Sequence, residues 1–222
     1  MIETFDGLQQ ASYLMPIQFH PLTSTHEQAA FDLVTEVFVN ASTLHKALNI
    51  SLEEYRPYLK ASYEEMASSG LSVVAIDTKT QEVIGCLIGC DFYDHVHAKN
   101  IAPEKFAPLS ALSKTLCHSF IKQRAPKAGD IAFLDMAAIA PDYLGQGIYQ
   151  AMRGFAHSNA KKLGYQSVIG ELSSAATQHF VLNKLGHIKR AEISFEHFED
   201  NGTKPFQSIQ EPKSIILAEG KL

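Results

Sequence analysis

The feature that most constrains this chain is a Gly-x-Gly turn between an apolar run and a segment with helical spacing. The turn is Gly145-Gln-Gly147 in the stretch "PDYLGQGIYQAM", and the mostly apolar residues 131–140 precede it. Helical spacing then continues over 146–163, and residues 166–172 again have the composition of a strand. A strand, a tight turn, a helix and a strand form a βαβ unit, which predicts parallel strands at 131–140 and 166–172.

This turn offers backbone N–H groups to a ligand. The amides from about Leu144 to Tyr149 precede or open the first turn of a helix, so we expect them to lack intrahelical acceptors. Glycine permits positive φ and close approach, and a helix N-terminus carries partial positive charge. The turn therefore suits a phosphate or diphosphate, although a helix start without a ligand remains an alternative. The dinucleotide and P-loop motifs do not fit, because Gly147 is followed by Ile-Tyr-Gln and no Gly-Lys-Ser/Thr occurs.

The rest of the chain predicts a mixed α/β order without an internal repeat or a long linker, and therefore a single domain over residues 1–222. Capping-box spacing occurs at Ser24–Glu27 and again at Ser51–Glu54. Further helices are predicted at about 26–41, 51–69, 104–124 and 175–185. Further strands are predicted at 13–22, 71–77, 82–92, 187–198 and 213–219.

Composition narrows the classes of partner. The formal net charge of −5 gives no basic surface for a phosphate backbone, so we expect no nucleic acid. No apolar run approaches the roughly 20 residues that cross a bilayer, so we expect no membrane association. The N-terminus has acids where a signal peptide has basic residues, and the number of cysteines is odd. These features predict a cytoplasmic protein, a monomer or a homodimer, that binds small molecules.

Over nearly its whole length the chain resembles the GNAT N-acetyltransferase superfamily. The diphosphate loop of that family reads Arg/Gln-x-x-Gly-x-Gly/Ala after an apolar strand and a proline, and residues 139–149 occupy this frame. Leu144 replaces the usual Arg or Gln, and Tyr149 replaces the usual small residue. The resemblance implies an α/β fold whose mostly antiparallel mixed sheet opens between strands 131–140 and 166–172, with acetyl-CoA as cosubstrate. It implies donor contacts from Ala138, Ile139, Leu144, Gly145, Gln146, Gly147, Ile148, Tyr149 and Asn183.

Within that superfamily, residues 173–200 are most similar to the arylalkylamine N-acetyltransferases. Their pattern of hydroxyl residues, Gln and a final Lys-Leu-Gly maps onto Ser173, Thr177, Gln178 and 183–186. This resemblance implies direct acetyl transfer from acetyl-CoA to a small primary amine, either arylalkylamine-like or polyamine-like.

The residues for acid and base catalysis depart from the family pattern. Leu182 stands where many members have a Tyr, and Ser42 where arylalkylamine-type enzymes have an acid. The remaining catalytic candidates are Asp135, Ser173 and Thr177, and we expect Asp135 to share a strand face with Ala137 and Ile139. Structural alternatives stay open, since the two hydroxyl residues could cap a helix, Asp135 could be a satisfied carboxylate, and water or the coenzyme could move the protons.

Two other functions are compatible with the sequence. A non-catalytic acyl-CoA-binding protein would explain the missing Tyr and acid. A metal-dependent enzyme could use His95 and His97 with Asp91 and Asp94, but no Cys cluster or His-Glu-x-x-His pattern supports it, so we predict no metal. Segments 26–69 and 93–126 are expected to form an aromatic acceptor wall with Phe38, Tyr55, Tyr58, Tyr63, Phe92 and Tyr93.

Overall fold

The computed structural model describes residues 16–98 and 102–222, which form a seven-stranded sheet with helices on both faces. The strand order is β1-β2-β3-β4-β5-β7-β6, and among these described strands only β4 and β5 are parallel. The strands are β1 (Ile17–Pro21), β2 (Val73–Asp77), β3 (Val83–Asp91), β4 (Ile131–Ile139), β5 (Ser167–Leu172), β6 (Ile188–Ser194) and β7 (Ser214–Lys221). The predicted mixed sheet is confirmed, while residues 13–15 of the first predicted strand lie outside the described ranges.

The helices follow from apolar faces that cover the two sides of the sheet. They are α1 (Ser24–Ala41), α2 (Thr43–Ala47), α3 (Leu52–Ser68), α4 (Phe92–His97), α5 (Ala107–Arg124), α6 (Ile148–Lys162) and α7 (Ala175–Gln178), which continues as a π-helix over His179–Lys184. Helices α1, α3 and α5 pack into the larger core, and α6 covers the opposite face with a buried stripe that includes Ile148, Met152 and Ala156. Across the described ranges, no helix is long and apolar enough to cross a bilayer.

One of the two capping boxes predicted from the sequence forms in the structure. The Ser51–Glu54 capping box is confirmed, because Ser51 Oγ accepts from the Glu54 amide at 3.3 Å and Glu54 Oε2 accepts from the Ser51 amide at 2.8 Å. The box predicted at Ser24–Glu27 is wrong, since α1 begins at Ser24 itself after Thr23, which makes no side-chain cap. Strand β6 also ends before the predicted residue 198, because Phe195 and Phe198 turn into the core and pack around Phe206.

The parallel strands pair only at their beginnings. Their register contains Ile131↔Ser167, Ala132↔Val168 and Phe133↔Ile169, after which β4 continues unpaired with β5 as far as Ile139. The predicted opening between the two strands is therefore confirmed. Beyond Phe133 the facing edges of β4 and β5 leave backbone groups and side chains available to a ligand.

A β-bulge in β4 lies just beyond this point. Ile88 pairs with Met136 and Gly89 with Leu134, so Asp135 is left without a partner in β3. The bulge reverses the alternation of the strand, because Phe133 and Met136 both face the larger core. The expectation that Asp135 shares a face with Ala137 and Ile139 is therefore wrong, since those two residues pack toward α6, whereas Asp135 lies near Tyr55 and Cys90 of the larger core.

Gly89 opposite the bulge provides a test of this packing. A Cβ at Gly89 would lie 2.8 Å from the Phe133 carbonyl oxygen and 3.0 Å from the Leu134 side chain. We expect Gly89→Ala to lower the free energy of unfolding by about 1–3 kcal/mol through overpacking, which exceeds the entropic gain of alanine. Urea denaturation measures the change, and the exposed Glu64→Ala should stay within about 0.5 kcal/mol of the parent. Equal effects of the two substitutions would contradict the description of the bulge.

Candidate functional site

A cleft of about 610 Å³ lies where β4 and β5 separate. The end of α1 and the start of α2 form one wall, and the start of α7 forms another. The floor runs from the carboxyl half of β4 to the turn before α6, and the segment at Glu211 and Pro212 lies at the rim. One continuous space therefore contacts both the glycine turn and the acidic residues of the separated strands.

The glycine turn exposes backbone N–H groups to this cleft. Gly145 and Gly147 both have φ of 76°, and a Cβ on either would meet nothing within 4 Å. The first bond of α6 joins the Ala151 amide to the Gly147 carbonyl at 3.1 Å, and within the described ranges no acceptor takes the amides of residues 145–150. The Leu144 amide is an exception to the prediction, because it donates to the Pro141 carbonyl at 3.2 Å.

The predicted donor-binding residues divide into two groups. Three of them do not line the cleft. Ala138 is buried in the larger core, the Gln146 side chain donates to the Asp142 carbonyl at 3.2 Å, and the Asn183 side chain forms a hydrogen bond with the His179 ring at 3.1 Å. The residues that do line it are Ile139, Leu144, Gly145, Gly147, Ile148 and Tyr149.

Asp135 lines the cleft as an unpartnered carboxylate. No hydrogen-bond donor for its side chain occurs among residues 16–98 and 102–222. Burial raises the pKa of Asp135 to about 6; the charge of Glu171 adds to this rise and that of His95 opposes it. The group therefore exchanges a proton close to neutral pH, as a general base requires.

Glu171 faces the same space from β5, and the sequence analysis did not identify it. Its Oε1 accepts from Ser113 Oγ at 2.6 Å and from Cys117 Sγ at 3.4 Å, and His95 Nε2 lies 3.6 Å away. Burial acts to raise the pKa of Glu171, but the hydrogen bond and charge of His95, with the bonds from Ser113 and Cys117, hold it below its usual value. Burial likewise acts to lower the pKa of His95, but Glu171 and Asp135 raise it.

Asp135 and Glu171 occupy equivalent places on the two strands. Each comes two residues after the last pair, Phe133↔Ile169. The charged residues that line the cleft are Asp135, Glu171, Glu211 and Arg153. Three of these four residues are acids, which favours a cationic ligand. One signal in the sequence marked Glu171, namely a lone acid in the otherwise uncharged stretch "QSVIGEL".

The two hydroxyl candidates, Ser173 and Thr177, both line the cleft, but only Thr177 has a local bond as well. Ser174 caps α7 by accepting from the Thr177 amide at 3.2 Å, and the Thr177 hydroxyl donates to the Ser174 carbonyl at 3.0 Å. Ser173 lines the cleft with no side-chain hydrogen bond within the described ranges. Ser42 also lines it, and its Oγ lies 2.9 Å from His45 Nδ1. Leu182 packs against the small cluster around Val181 instead.

The structure separates the two histidines of the metal hypothesis. His97 Nδ1 donates to the Tyr93 carbonyl at 2.7 Å, whereas His95 points toward Glu171. Ligand atoms of His95, Cys117 and Glu171 lie within 4.8 Å of one another, close enough to hold a metal ion. Hydrogen bonds from Ser113 and Cys117 already satisfy the Glu171 oxygen.

The expected aromatic acceptor wall is only partly formed. Phe38 lines the cleft, but Tyr55, Tyr63 and Phe92 are buried in the core and Tyr58 packs against it. Other rings at the cleft come from Tyr143, Tyr149 and Phe180. Most of the predicted aromatic residues therefore stabilise the fold.

A sheet that opens between two parallel strands, with a glycine turn leading into the next helix, defines the GNAT N-acetyltransferase fold, and the predicted fold is confirmed. The C-terminal condensation domain of Ebony in complex with β-alanyl-dopamine has a TM-score of 0.83 at 17% identity, with 94% of this chain and 100% of that chain covered. Arylalkylamine N-acetyltransferase 2 from Aedes aegypti has a TM-score of 0.79 at 16% identity, covering 92% of this chain and 98% of that chain.

A polyamine N-acetyltransferase from Drosophila melanogaster has a TM-score of 0.70 at 12% identity, covering 93% of this chain and 100% of that chain. The sequence matches no protein-family model and no curated protein. At these identities the likeness establishes the fold, and the activity has to be argued from the cleft.

The raised pKa of Asp135 predicts a pH-dependent effect on stability. The folded state has a pKa of about 6 against 3.8 for the ordinary group, so the folded state holds more protons between those values and loses stability as the pH rises through them. As the pH rises from about 4 to about 7, the free energy of unfolding of Asp135→Asn should increase by about 1–3 kcal/mol relative to that of the parent. Chemical denaturation at both pH values measures the gain.

The control is Glu196→Gln, which changes an exposed carboxylate to an amide in the same way. A stability difference between Asp135→Asn and the parent that does not change with pH would contradict the assignment of an uncompensated carboxylate in the cleft.

Proposed function

We propose that this chain is an acetyl-CoA-dependent N-acetyltransferase that transfers the acetyl group directly to a small primary amine. The observation that carries the proposal is the single cleft with free backbone amides at the 145–147 turn and the unpartnered carboxylate of Asp135 at the separated strands. These are the two requirements of the reaction, an anchor for an anionic donor and an acceptor for a proton.

The donor end fits a coenzyme A diphosphate. The amides of residues 145–150 lack acceptors in the described ranges, and the space above Gly145 and Gly147 is open. Helix α6 adds the partial positive charge of its N-terminus. The coenzyme, when bound, supplies an acyl group activated as a thioester. Leu144, which is exposed, adds no charge to this turn.

The acceptor end fits an ammonium group that must lose a proton before it can attack. An alkylamine with a lysine-like pKa is neutral in about one molecule in a few thousand at pH 7, which leaves a deficit of roughly 4–5 kcal/mol. Asp135 takes the proton. The pKa of Asp135 is raised from 3.8 to about 6, which makes this proton transfer more favourable by about 3 kcal/mol than transfer to an ordinary aspartate. Glu171, held ionised by its neighbours, attracts the ammonium group.

The structural neighbours support the class of acceptor. Two of them are an arylalkylamine and a polyamine N-acetyltransferase, and the Ebony domain is in complex with β-alanyl-dopamine. The acidic cleft with Phe38, Tyr149 and Phe180 suits either an arylalkylamine or a polyamine. Ser173 remains a proposed polar contact of the reacting groups, and Thr177 a weaker one because its hydroxyl is bonded locally.

Thiol release from acetyl-CoA in the presence of arylalkylamines and polyamines tests the proposal. We expect amine-dependent turnover by the parent protein, and Asp135→Asn should lower kcat/KM by about 10²–10⁴-fold because the base is lost. The parent profile should rise as the pH increases through the pKa of Asp135, about 6, and the variant should lack this rise.

Glu196→Gln again serves as the control and should retain parental turnover. Binding of acetyl-CoA without turnover on any amine would favour a non-catalytic acyl-CoA-binding protein instead. Parental kcat/KM in Asp135→Asn would contradict the assigned base.

The donor site has a matched glycine pair. Gly147 and Gly202 have φ of 76° and 75°, and both have open space at the Cβ position, but only Gly147 lines the cleft. Alanine at either should cost about 1 kcal/mol of stability. Calorimetric titration with coenzyme A should show about tenfold weaker binding for Gly147→Ala, roughly 1.4 kcal/mol, and no change for Gly202→Ala. Equal dissociation constants in both variants would contradict the donor site.

A further inference from the structure

Arg153 on α6 is a buried cation that makes no salt bridge within the part of the chain that the structure describes. It is 2% exposed and lines the cleft. Its Nε and Nη2 atoms have no hydrogen-bond partner among residues 16–98 and 102–222. These two N–H groups lie on the same edge of the guanidinium and form the fork that binds two oxygens of a carboxylate or phosphate.

The described surroundings of Arg153 do not supply an anion. His157 and His187 stack with ring centroids 5.2 Å apart, and within the described ranges His157 Nε2 and His187 Nδ1 are also buried without partners. Burial first, and then the charge of Arg153, lower the pKa of His157 to about 3 and that of His187 to about 4, so both rings are neutral. Glu219 is already bound by Arg124 and Arg190.

The guanidinium of Arg153 lies close to the point at which β4 and β5 separate. A Cβ at Gly170 would be 3.7 Å from Arg153 Nη1 and 3.0 Å from the Leu134 carbonyl oxygen. Gly170 directly follows the last strand pair, Phe133↔Ile169. The guanidinium therefore lies beside the point at which β4 and β5 separate, on the side of the sheet that α6 covers. A buried charge of this kind is stable only when an anion pairs with it.

We propose that Arg153 binds an oxyanion of the thioester donor through Nε and Nη2. This inference rests on the proposed function, because it takes the ligand of the cleft to be a coenzyme A thioester. Two parts of such a donor present paired oxygens, namely the phosphates of the coenzyme and a carboxylate carried by the acyl group. Both match the geometry of the unpartnered fork.

Calorimetric binding of acetyl-CoA and succinyl-CoA to the full chain separates the two sources. Arg153→Met, which removes the charge but keeps the length, should raise at least one dissociation constant about tenfold or more. Equal weakening of both ligands identifies the phosphates, and weakening of succinyl-CoA alone identifies the acyl carboxylate. The control is Lys161→Met, which removes an exposed cation from the same helix and should leave both constants unchanged.

Dissociation constants within twofold of the parental values for both ligands would overturn the proposal. Should Arg153→Met fail to fold, Arg153→Lys keeps the charge without the paired donors, and unchanged binding in that variant would overturn it equally. Failure of the parent protein to bind either thioester would contradict the proposed function and this inference together. Parental binding that is insensitive to Arg153 contradicts this inference alone.

Discussion

The early end of pairing between β4 and β5 is the constraint on which the rest of the structure depends. After Phe133↔Ile169 the strands no longer share hydrogen bonds, so their facing edges and nearby side chains border a cleft instead of a closed sheet. Helices on both faces pack against the separated strands. The glycine turn, the two carboxylates and Arg153 all reach one space because of this separation. A sheet paired to its full length would have buried or dispersed the same residues.

The bulge in β4 determines where the carboxylate of Asp135 lies. In a strand without the bulge, regular alternation would place Phe133, Asp135, Ala137 and Ile139 all on the same face. With it, Asp135 and the core residues Phe133 and Met136 coexist on one side. Gly89 accommodates the displaced chain because it has no side chain. The cost is a carboxylate that burial destabilises when it is ionised, which is common where activity competes with stability.

The sequence was sufficient for the βαβ unit and the cap at Ser51, because each depends on a local pattern of residues. The opening of the sheet was implied by the resemblance to the GNAT superfamily rather than by any local pattern. The sequence was insufficient for the side on which Asp135 lies, because a bulge depends on the register with β3. Glu171 was missed because its partners Ser113 and His95 come from helices distant in sequence. Arg153 was missed because an arginine in a helix is normally exposed, and only packing shows otherwise.

The π-helix over His179–Lys184 has a consequence for how this segment is compared with others. A turn closed between residues i and i+5 holds one residue more than an α-turn, so side chains after it are rotated relative to regular helical numbering. Phe180 and Leu182 both pack against the small cluster around Val181, but only Phe180 of these two also lines the cleft. Counting backward from Gly186 therefore does not identify the side chain that meets a ligand here. Insertion or deletion of one amino acid in this segment is therefore expected to rotate a different side chain toward the cleft.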